Sequence, residues 1–503
     1  MPSRLKAPVL WLLKALRFPG RSRTIVADPL LKMAGKEYNR QRFYGPRKIF
    51  CYAPFRSIFV SYDGRVSPCY ACRSNASLKE TNLEEIWNGP EFRSLRDQLR
   101  SGIIPDECSF CRGHLRNGNY ASILANKYDH HAAPNKGNPA IVEFELGNEC
   151  NLECVMCCGE LSSSIRARRE KKEKVETLVD EHFDRHFDFC LPHLRAAEFT
   201  GGDPFLIPVY EKIWTKMATV NSGIDILITT NANTMNERVE TLLRSDLRLS
   251  FNISIDSLKK EVYEKIRVNA NFEKVQENIR RFAAYAHQHH TSIGFLVCPL
   301  RLNRYELQDF LPFAKEHGAS LSYHVVFKPA DLALWTLDSK DLFDLHTHLA
   351  PYAIEGSGFI ESLNARNYRG LVDLIQVWAE KAVTREAALE QKNNDIAAQM
   401  DNAKQRFWKQ LGELVAEEDL HHHFSRTTFL IQKMGVTHFP ELVYLRLAEI
   451  PAPEVLRALT QTKDEALIEK LLQYHNDVYY RIFAGDGLSD NDKYERSMKG
   501  MEW

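Results

Sequence analysis

Short apolar runs recur along the middle of the chain, and each is followed by a polar, amphipathic stretch of helical length. Strands that alternate with helices predict a mostly parallel sheet with the helices packed outside it, which is an α/β fold. Six such units fit a partial (βα)6 barrel. The six runs are, in chain order, AIVEFEL, AAEFT, IDILITT, LSFNISID, TSIGFLVC and ASLSYHVVF.

The regions on either side of these runs differ from them in composition and in predicted secondary structure. The whole chain divides into four predicted segments. Residues 1–50 form an N-terminal basic extension, and residues 51–135 form a small cysteine-rich α+β module. A linker rich in Pro, Gly and Asn, HHAAPNKGNPA, separates this module from the barrel, which we place at residues 136–330. Long helical patterns then predict a helical C-terminal domain at residues 331–503.

The number and grouping of the cysteines limit the chemistry. Eleven is an odd number, and eight of the eleven fall in three tight groups instead of being spread as pairs. This arrangement favours metal or cluster ligation in a reducing compartment, so we expect a cytoplasmic protein. Lys plus Arg and Asp plus Glu number 66 each, and this balance provides no basic field for nucleic acid, which we do not expect as a partner.

One group of cysteines directly follows the first predicted strand. Cys150, Cys154 and Cys157 have the spacing CxxxCxxC on the loop at the carboxyl end of that strand, where barrel enzymes place their chemistry. Thiolates favour zinc or iron–sulfur clusters, but zinc sites usually close with a fourth Cys or His. Three cysteines would leave one iron of a four-iron cluster without a protein ligand, and that open iron could bind a cofactor by chelation.

This loop resembles the signature of the radical S-adenosylmethionine (SAM) superfamily. The resemblance implies that the three cysteines hold three irons of a [4Fe-4S] cluster, while the fourth iron binds the amino and carboxylate groups of SAM. One electron then cleaves SAM and yields a 5′-deoxyadenosyl radical that abstracts hydrogen from a substrate. The sequence itself singles out no catalytic acid or base.

Further motifs of the superfamily follow in the expected order between residues 140 and 328. FTGGDPF resembles the GGEP motif that contacts the SAM amino group, with Asp203 in place of the usual Glu. ITTNAN ends the third predicted strand, and SFNISIDSLKKEVYEKIR resembles the fourth strand and its helix. The resemblance implies SAM contacts from Gly201, Gly202, Asp203, Pro204, Thr230, Asn231, Ser254 and Arg267, with Met156 packed near the adenine.

A second cysteine pattern lies in the N-terminal module. Cys51 is followed by twelve residues, Gly64, four residues and Cys69, and later by CSFC at Cys108 and Cys111. The pattern resembles the auxiliary-cluster module called SPASM, or its shortened form called twitch, including a helix at TNLEEIWN and a hairpin that turns at Gly64. The resemblance implies one auxiliary [4Fe-4S] cluster on Cys51, Cys69, Cys108 and Cys111.

Two alternatives to this ligand set stay open. Cys72 forms a CxxC with Cys69 and could replace one of the four cysteines, and a zinc knuckle is the second alternative. The module also departs from the family pattern, because it precedes the barrel whereas in most members it follows the barrel. The sequence lacks the full seven-cysteine set of SPASM, so we expect a single auxiliary cluster.

The remaining motifs receive structural interpretations. Cys158 could contact substrate or be a small buried residue, and we expect Cys190 and Cys298 in the core. The histidines of DLHHHF, residues 419–424, point in different directions on a helix, which favours a surface or helix-end cluster. The basic, amphipathic segment at residues 4–23 is interpreted as a helix packed on its own protein, with contact to a membrane surface as the alternative.

Together these patterns predict a radical SAM enzyme of the oxidoreductase type. Enzymes with this auxiliary module mostly resemble peptide or protein modifiers, so oxidative modification of a peptide is the first prediction, with flavodoxin or ferredoxin as electron donor. The alternative substrate is a small molecule, such as a sugar or a lipid-linked intermediate. A non-catalytic metal-binding scaffold is the third alternative.

Overall fold

One sheet runs through the middle of the protein. The computed structural model describes residues 29–42, 45–116, 120, 123–131, 137–180, 182–352, 356–434, 436 and 440–483. The strands are β1 Ser57–Ser61, β2 Val66–Ser67, β3 Ile141–Glu145, β4 Ala196–Phe199, β5 Asp225–Thr230, β6 Arg248–Ser254, β7 Ile293–Val297 and β8 Ser320–Tyr323. Within the described ranges these eight strands lie in the order β2-β1-β3-β4-β5-β6-β7-β8, and all neighbours are parallel except β1 and β2.

Each strand has an outer face that packs against helices and an inner face that lines the barrel lumen. In β6, Leu249, Phe251 and Ile253 are fully buried in the main core, whereas Asn252 and Ser254 are half-buried on the inner face. The six runs identified in the sequence coincide with β3 to β8. The predicted α/β partial barrel is therefore confirmed.

The N-terminal module joins the barrel through its hairpin. Strands β1 and β2 are antiparallel, and the turn between them contains Gly64 at φ +83°, so the predicted hairpin is confirmed. Strand β1 also pairs in parallel with β3, Ser57 opposite Ile141, so the module and the barrel share one sheet. The helices of this region are α1 Pro29–Gln41, α2 Ala53–Arg56, α3 Leu83–Trp87, α4 Pro90–Arg100 and α5 Ser109–Arg116.

Helices cover the outer face of the barrel strands. They are α6 Ser163–Arg168, α7 Pro208–Val220, α8 Glu237–Leu243, α9 Lys260–Ile266, α10 Phe272–His289 and α11 Phe310–Glu316. In helix α10 the apolar residues recur at helical spacing and form its buried face. They are Val275, Ile279, Phe282 and Ala286, and all four are buried in the main core. The Asn271 side chain caps its first turn by accepting a hydrogen bond from the Lys274 N–H.

The C-terminal region is helical, as predicted. Its helices are α12 Ser339–Leu349, α13 Phe359–Gly412, α14 Glu417–Lys433, α15 Val443–Leu447, α16 Ala452–Gln461 and α17 Asp464–Phe483. Helix α13 has 54 residues and is therefore about 81 Å long. Leu371 and Ile375 in its first half belong to the main core of the barrel, whereas Phe407 and Leu411 belong to a second core among the C-terminal helices.

Helix α13 also covers the edge of the sheet at β8. The Leu321 N–H donates a hydrogen bond to Asn364 Oδ1 at 2.7 Å, and Asn364 Nδ2 donates to the Ala319 carbonyl at 2.9 Å. Asn367 Nδ2 donates to the Leu321 carbonyl at 2.8 Å. These amides satisfy edge groups that would otherwise be open for pairing with another chain.

Three sequence interpretations concern segments away from the barrel. Residues 4–23 lie outside the described residues, so the basic helix proposed there stays a prediction, and so do the bounds of the four predicted segments. His421 and His422 are exposed near the start of α14, whereas His423 is buried. In the described ranges, no group of three or more His, Cys, Asp or Glu side chains is placed to hold a single metal ion.

None of the described helices is both long enough and apolar enough to cross a bilayer.

Candidate active site

Three chain segments meet at the carboxyl end of the barrel. The loop after β3 carries Cys150, Cys154 and Cys157, and the glycine loop after β4 packs against it, with the Gly202 N–H donating to the Gly147 carbonyl at 3.1 Å. On the other side, the Glu153 N–H donates to the Val268 carbonyl at 3.0 Å, and the Val155 N–H donates to the Ile266 carbonyl at 2.9 Å. The cysteine loop is therefore held between the glycine loop and the end of α9.

Serine side chains at the start of α6 fix the first cysteine. The Cys150 N–H donates to Ser163 Oγ at 3.1 Å, and Ser164 Oγ donates to the Cys150 carbonyl at 2.8 Å. Ser162 Oγ donates to the Leu152 carbonyl at 2.7 Å. The loop thus has a defined backbone conformation, because its polar groups are hydrogen-bonded to neighbouring segments.

The three thiols lie partly below the surface. Cys154 is buried, and Cys150 and Cys157 are half-buried. Burial raises the pKa of Cys154 to about 11 and also raises the pKa of the other two thiols. Because metal ligation requires thiolates, binding of iron here must release protons, and the positive charge of the iron must compensate for burial.

Positions 201 and 202 require glycine because a side chain at either position would clash with the cysteine loop. The sequence did not reveal this contact. Gly201 has φ +95°, and a Cβ there would lie 2.4 Å from the Gly147 carbonyl oxygen. A Cβ on Gly202 would lie 2.3 Å from the Glu149 carbonyl oxygen. The two glycines therefore let the backbone of this loop approach the cysteine loop closely.

Asp203 is fully buried and organises the glycine loop. It accepts hydrogen bonds from Thr230 Oγ1 at 3.1 and 3.2 Å and from the Phe205 N–H at 3.2 Å, which caps the short turn that begins at Pro204. Burial raises the pKa of Asp203 to about 6. Asn231, next to Thr230, donates to Asn151 Oδ1 at 3.2 Å, and its Nδ2 lies 3.8 Å from Cys150 Sγ.

Arg267 lies directly beside a candidate cluster ligand. Its Nη1 is 4.0 Å from Cys154 Sγ, and its Nε forms a buried ion pair at 2.8 Å with Asp256 Oδ2, although the two atoms are not aligned as a hydrogen bond. Burial opposes the charge of Arg267, but Asp256 and Cys154 outweigh it, and the pKa of Arg267 is raised. The arrangement places a fixed cation next to the Cys154 sulfur.

Three residues that sequence reasoning did not assign to the site also lie there. Asp256, Cys298 and His324 follow the carboxyl ends of β6, β7 and β8. The Cys298 N–H donates to Asp256 Oδ1 at 2.8 Å, and burial raises the pKa of the Cys298 thiol. Burial lowers the pKa of His324, and Asp256 opposes that shift. Each of the three residues lies in the second half of a predicted strand run, and this common position was the signal in the sequence that could have identified them.

Cys298 had been expected in the core without a role, but it is half-buried and packs in the same apolar cluster as Met156. Ser254 is the last residue of β6 and is half-buried on the inner face. Cys158 is half-buried, and its carbonyl accepts a hydrogen bond from the Leu161 N–H at 3.1 Å. Cys190 is fully buried in the main core, as expected.

The N-terminal cysteines form a second group of thiols. A pocket with an almost wholly apolar wall is lined by Cys51, Cys69, Cys72, Cys108 and Cys111 together with Phe110 and Tyr128. The Cys51 sulfur accepts a hydrogen bond from the Ala53 N–H at 3.4 Å. Hydrogen bonds of this kind stabilise thiolates that ligate iron, so the donor set fits an iron–sulfur cluster.

The two thiol groups lie at opposite ends of the same strands. Cys51 precedes β1, whereas Cys150 follows β3, and these two strands are parallel and in register. Five residues of strand span about 13 Å. The lumen of the barrel therefore lies between the two groups.

Family comparisons agree with this arrangement. The Radical SAM superfamily model matches residues 144–313, and the SPASM iron-sulfur cluster-binding domain model matches residues 51–112. The chain therefore contains a radical SAM domain. More particularly, it carries a SPASM iron–sulfur domain ahead of its barrel, and its cofactors are [4Fe-4S] clusters and SAM.

Curated and solved relatives share only part of the chain. GTP 3′,8-cyclase of Clostridium botulinum (strain Langeland) is 22% identical over 309 residues, which are 56% of this chain and 91% of the relative. GTP 3′,8-cyclase of Limosilactobacillus fermentum is 26% identical over 254 residues, 48% of this chain and 72% of the relative. Streptococcus suis SuiB bound to precursor peptide SuiA has 14% identity and a TM-score of 0.33, and the likeness covers 54% of this chain and 57% of SuiB.

Proposed function

We propose that this protein cleaves SAM at the Cys150, Cys154 and Cys157 site and uses the radical to abstract hydrogen from a substrate bound in the lumen. The observation that supports this proposal most directly is the convergence of the cysteine loop, the glycine loop and Arg267 at the carboxyl end of the barrel. The three thiols would hold three irons of the cluster and leave the fourth iron for SAM. When bound, such a cluster supplies the electron that cleaves SAM to a carbon radical.

The protein residues around the thiols have positioning roles in this proposal. Gly201 and Gly202 permit the contact that holds the cysteine loop in place, and Asp203 holds the glycine loop against Thr230. The Arg267 cation stabilises negative charge on Cys154, and Asp256 keeps the guanidinium there. The backbone and side chains beside the open iron then define where SAM can bind.

The polar side chains that line the lumen favour a polar substrate. Its inner face carries Glu198 on β4 and Asn252 on β6, both half-buried, and Glu143 on β3. Lys127 reaches this face from the N-terminal module, with its Nζ 2.9 Å from Glu143 Oε2 and 2.6 Å from Glu198 Oε2. Because the second thiol group lies at the far end of the same strands, an auxiliary cluster could accept an electron from a substrate radical, which favours net oxidation.

We infer that the substrate is a peptide that is oxidatively modified, because the SPASM domain resembles that of peptide-modifying enzymes. Flavodoxin or ferredoxin is the proposed electron donor. A small-molecule substrate is the second candidate, and it is favoured by the similarity to GTP 3′,8-cyclases along much of the chain.

The test uses anaerobically reconstituted, dithionite-reduced protein and measures 5′-deoxyadenosine by mass spectrometry. Fractions of a cell extract are added, separated by size and divided into portions with and without proteinase treatment. We expect a fraction that stimulates 5′-deoxyadenosine formation and loses this effect after proteinase treatment. Stimulation that survives proteinase in the smallest fraction would favour the small molecule, and a protein that never forms 5′-deoxyadenosine would contradict both candidates.

A further inference from the structure

The lumen contains a cluster of one lysine and two glutamates. Lys127 Nζ lies 2.9 Å from Glu143 Oε2 on β3 and 2.6 Å from Glu198 Oε2 on β4. The two glutamates are opposite each other in neighbouring parallel strands, so their side chains belong to one layer of the inner face. Lys127 reaches this layer from the short helix Leu124–His131 of the N-terminal module. The cluster therefore joins the module to the barrel inside the lumen.

Glu143 holds this cluster in place. Its Oε1 accepts hydrogen bonds from Ser57 Oγ at 3.0 Å and from the Tyr128 hydroxyl, and its Oε2 faces Lys127. The Glu143 side chain is only 6% exposed, and Tyr128 is buried. Because both oxygens of Glu143 are engaged by protein donors, this residue fixes the lysine ammonium group and is not available to a ligand.

Lys127 and Glu198 each keep one hydrogen-bonding position for a ligand. Their side chains are 30% and 21% exposed. An ammonium group has three N–H donors, and the two carboxylates account for two of them. Among the described residues Lys127 is the donor to Glu198, at Oε2, so Oε1 can still accept a hydrogen bond. The pair therefore presents one donor beside one acceptor to the lumen.

The charges and the geometry of this pair limit which ligands fit. Burial opposes the charge of Lys127, but Glu143 and Glu198 outweigh it, and the pKa of Lys127 is raised. Two negative charges beside one positive charge disfavour a phosphate or a carboxylate as the ligand. A trans peptide group points its C=O and N–H in opposite directions and cannot reach both positions. A group with C=O and N–H on the same edge can, as in a primary carboxamide.

We propose that Lys127 and Glu198 form a subsite that binds such an amide edge of the substrate. The ammonium group donates to the ligand carbonyl, and Glu198 Oε1 accepts from the ligand N–H. The inference rests on the proposed function, because the subsite lies in the lumen where the substrate would bind. Glu198 precedes Gly201 by three residues, which places the subsite about 10 Å from the glycine loop. An asparagine or glutamine side chain of a peptide has this edge, and so does the lactam of guanine.

The test measures binding of small probes by saturation-transfer NMR to full-length, anaerobically reconstituted protein with SAM and without reductant. The peptide probe is N-acetylglutamine N-methylamide. Its matched control is N-acetylglutamate N-methylamide, which replaces only the carboxamide by a carboxylate, and guanosine is the nucleobase probe. Because no electron is supplied, binding is measured without SAM cleavage. A failure here is therefore distinguishable from a failure of the proposed function.

We expect a signal from the glutamine probe and a signal at least about fivefold weaker from the glutamate probe. Lys127→Met removes the donor, and Glu198→Gln places an amide N–H where the acceptor was, so each should weaken the glutamine signal by about fivefold or more. Lys216→Met is the matched control and should keep the signal. Lys216 also bridges two carboxylates, Asp184 at 2.8 Å and Asp188 at 2.5 Å, but lies on α7 outside the barrel.

Circular dichroism and iron content check the folding of each variant, and Glu198→Gln preserves side-chain volume where Lys127→Met misfolds. A guanosine signal in place of the glutamine signal, lost in the same variants, would support the subsite and assign a nucleobase as the source of the amide edge. Equal signals from the glutamine and glutamate probes would overturn the proposal. It would also be overturned by signals that are unchanged in the folded variants, or by no signal from either amide probe.

Discussion

At the scale of single residues, the site depends on polar and ionisable side chains that are buried. Asp203 is the clearest case, because its carboxyl group is fully buried while it accepts hydrogen bonds from Thr230 and the Phe205 N–H. A buried carboxylate loses solvation, and the hydrogen bonds compensate only in part. The pKa of Asp203 is accordingly raised from 3.8 to about 6.

This shift predicts a pH dependence of stability. Between pH 3.8 and about 6 the folded protein binds more protons at Asp203 than the unfolded chain, so stability falls as pH rises through this range. The effect amounts to roughly 3 kcal/mol at neutral pH. Asp203→Asn removes the titrating group, so the difference in thermal midpoint between cluster-free variant and wild type should change across this range. Parallel midpoints from pH 4 to pH 7 would contradict the assigned shift.

Gly202 provides a second prediction at this scale. A side chain there would overlap the Glu149 carbonyl oxygen, so Gly202→Val should displace the cysteine loop. We expect iron content to fall from about eight to about four per chain, together with loss of 5′-deoxyadenosine formation. Gly223→Val is the matched control, because Gly223 is exposed and a Cβ there meets only Asn221 Oδ1 at 3.9 Å. Full iron loading in Gly202→Val would contradict the loop contact.

The sequence could identify residues whose role depends on local spacing, but not residues that the fold brings together. Cys150, Cys154 and Cys157 lie within eight positions, so their pattern is visible in the sequence. Asp256, Cys298 and His324 follow three different strands, and their proximity depends on the order of β6, β7 and β8. The role of Gly202 could not be predicted either, because it depends on how the cysteine loop packs against this glycine.

At the scale of elements, helix α13 stabilises the open edge of the barrel. Asn364 bonds both the Leu321 N–H and the Ala319 carbonyl, and its side chain therefore acts as a short substitute for a ninth strand. Its position on a helix 54 residues long could be predicted from the helical pattern. The contact with β8 could not, because that contact depends on how the helix packs on the sheet.

Replacement of Asn364 should destabilise this edge. Asn364→Leu leaves a buried N–H and a buried carbonyl without partners, at about 1–3 kcal/mol each. We expect a lower thermal midpoint and faster amide hydrogen exchange in β8. Gln376→Ala, on an exposed position of the same helix, is the matched control. Unchanged exchange in β8 would show that the asparagine does not protect the edge.

At the scale of the whole molecule, two thiol groups lie at the two ends of one parallel sheet. The hairpin β1–β2 could be predicted from Gly64, but its pairing with β3 could not, because about 80 residues separate the two strands. This pairing places the auxiliary thiols at the amino ends of the barrel strands. Under the proposed function, the lumen between the groups is where a substrate radical would form and lose an electron.

This arrangement predicts that radical formation and radical disposal can be separated. Cys111→Ala removes a proposed ligand of the auxiliary cluster that is remote from Cys150, so SAM cleavage without substrate should stay near the wild-type rate. Product formation from a stimulating fraction should fall by roughly tenfold or more. Circular dichroism controls for folding, since loss of thiolate ligation also removes folding energy. Equal loss of both activities in a folded variant would mean that the module is structural.

The central claim is that Cys150, Cys154 and Cys157 form the site at which SAM is cleaved. The most direct measurement compares 5′-deoxyadenosine formation by reduced, reconstituted wild-type protein with that of the variant in which all three cysteines are changed to alanine. We predict that the variant keeps about four of about eight irons and forms no 5′-deoxyadenosine above the enzyme-free background. A variant that still forms 5′-deoxyadenosine at the wild-type rate would contradict the assignment of the site.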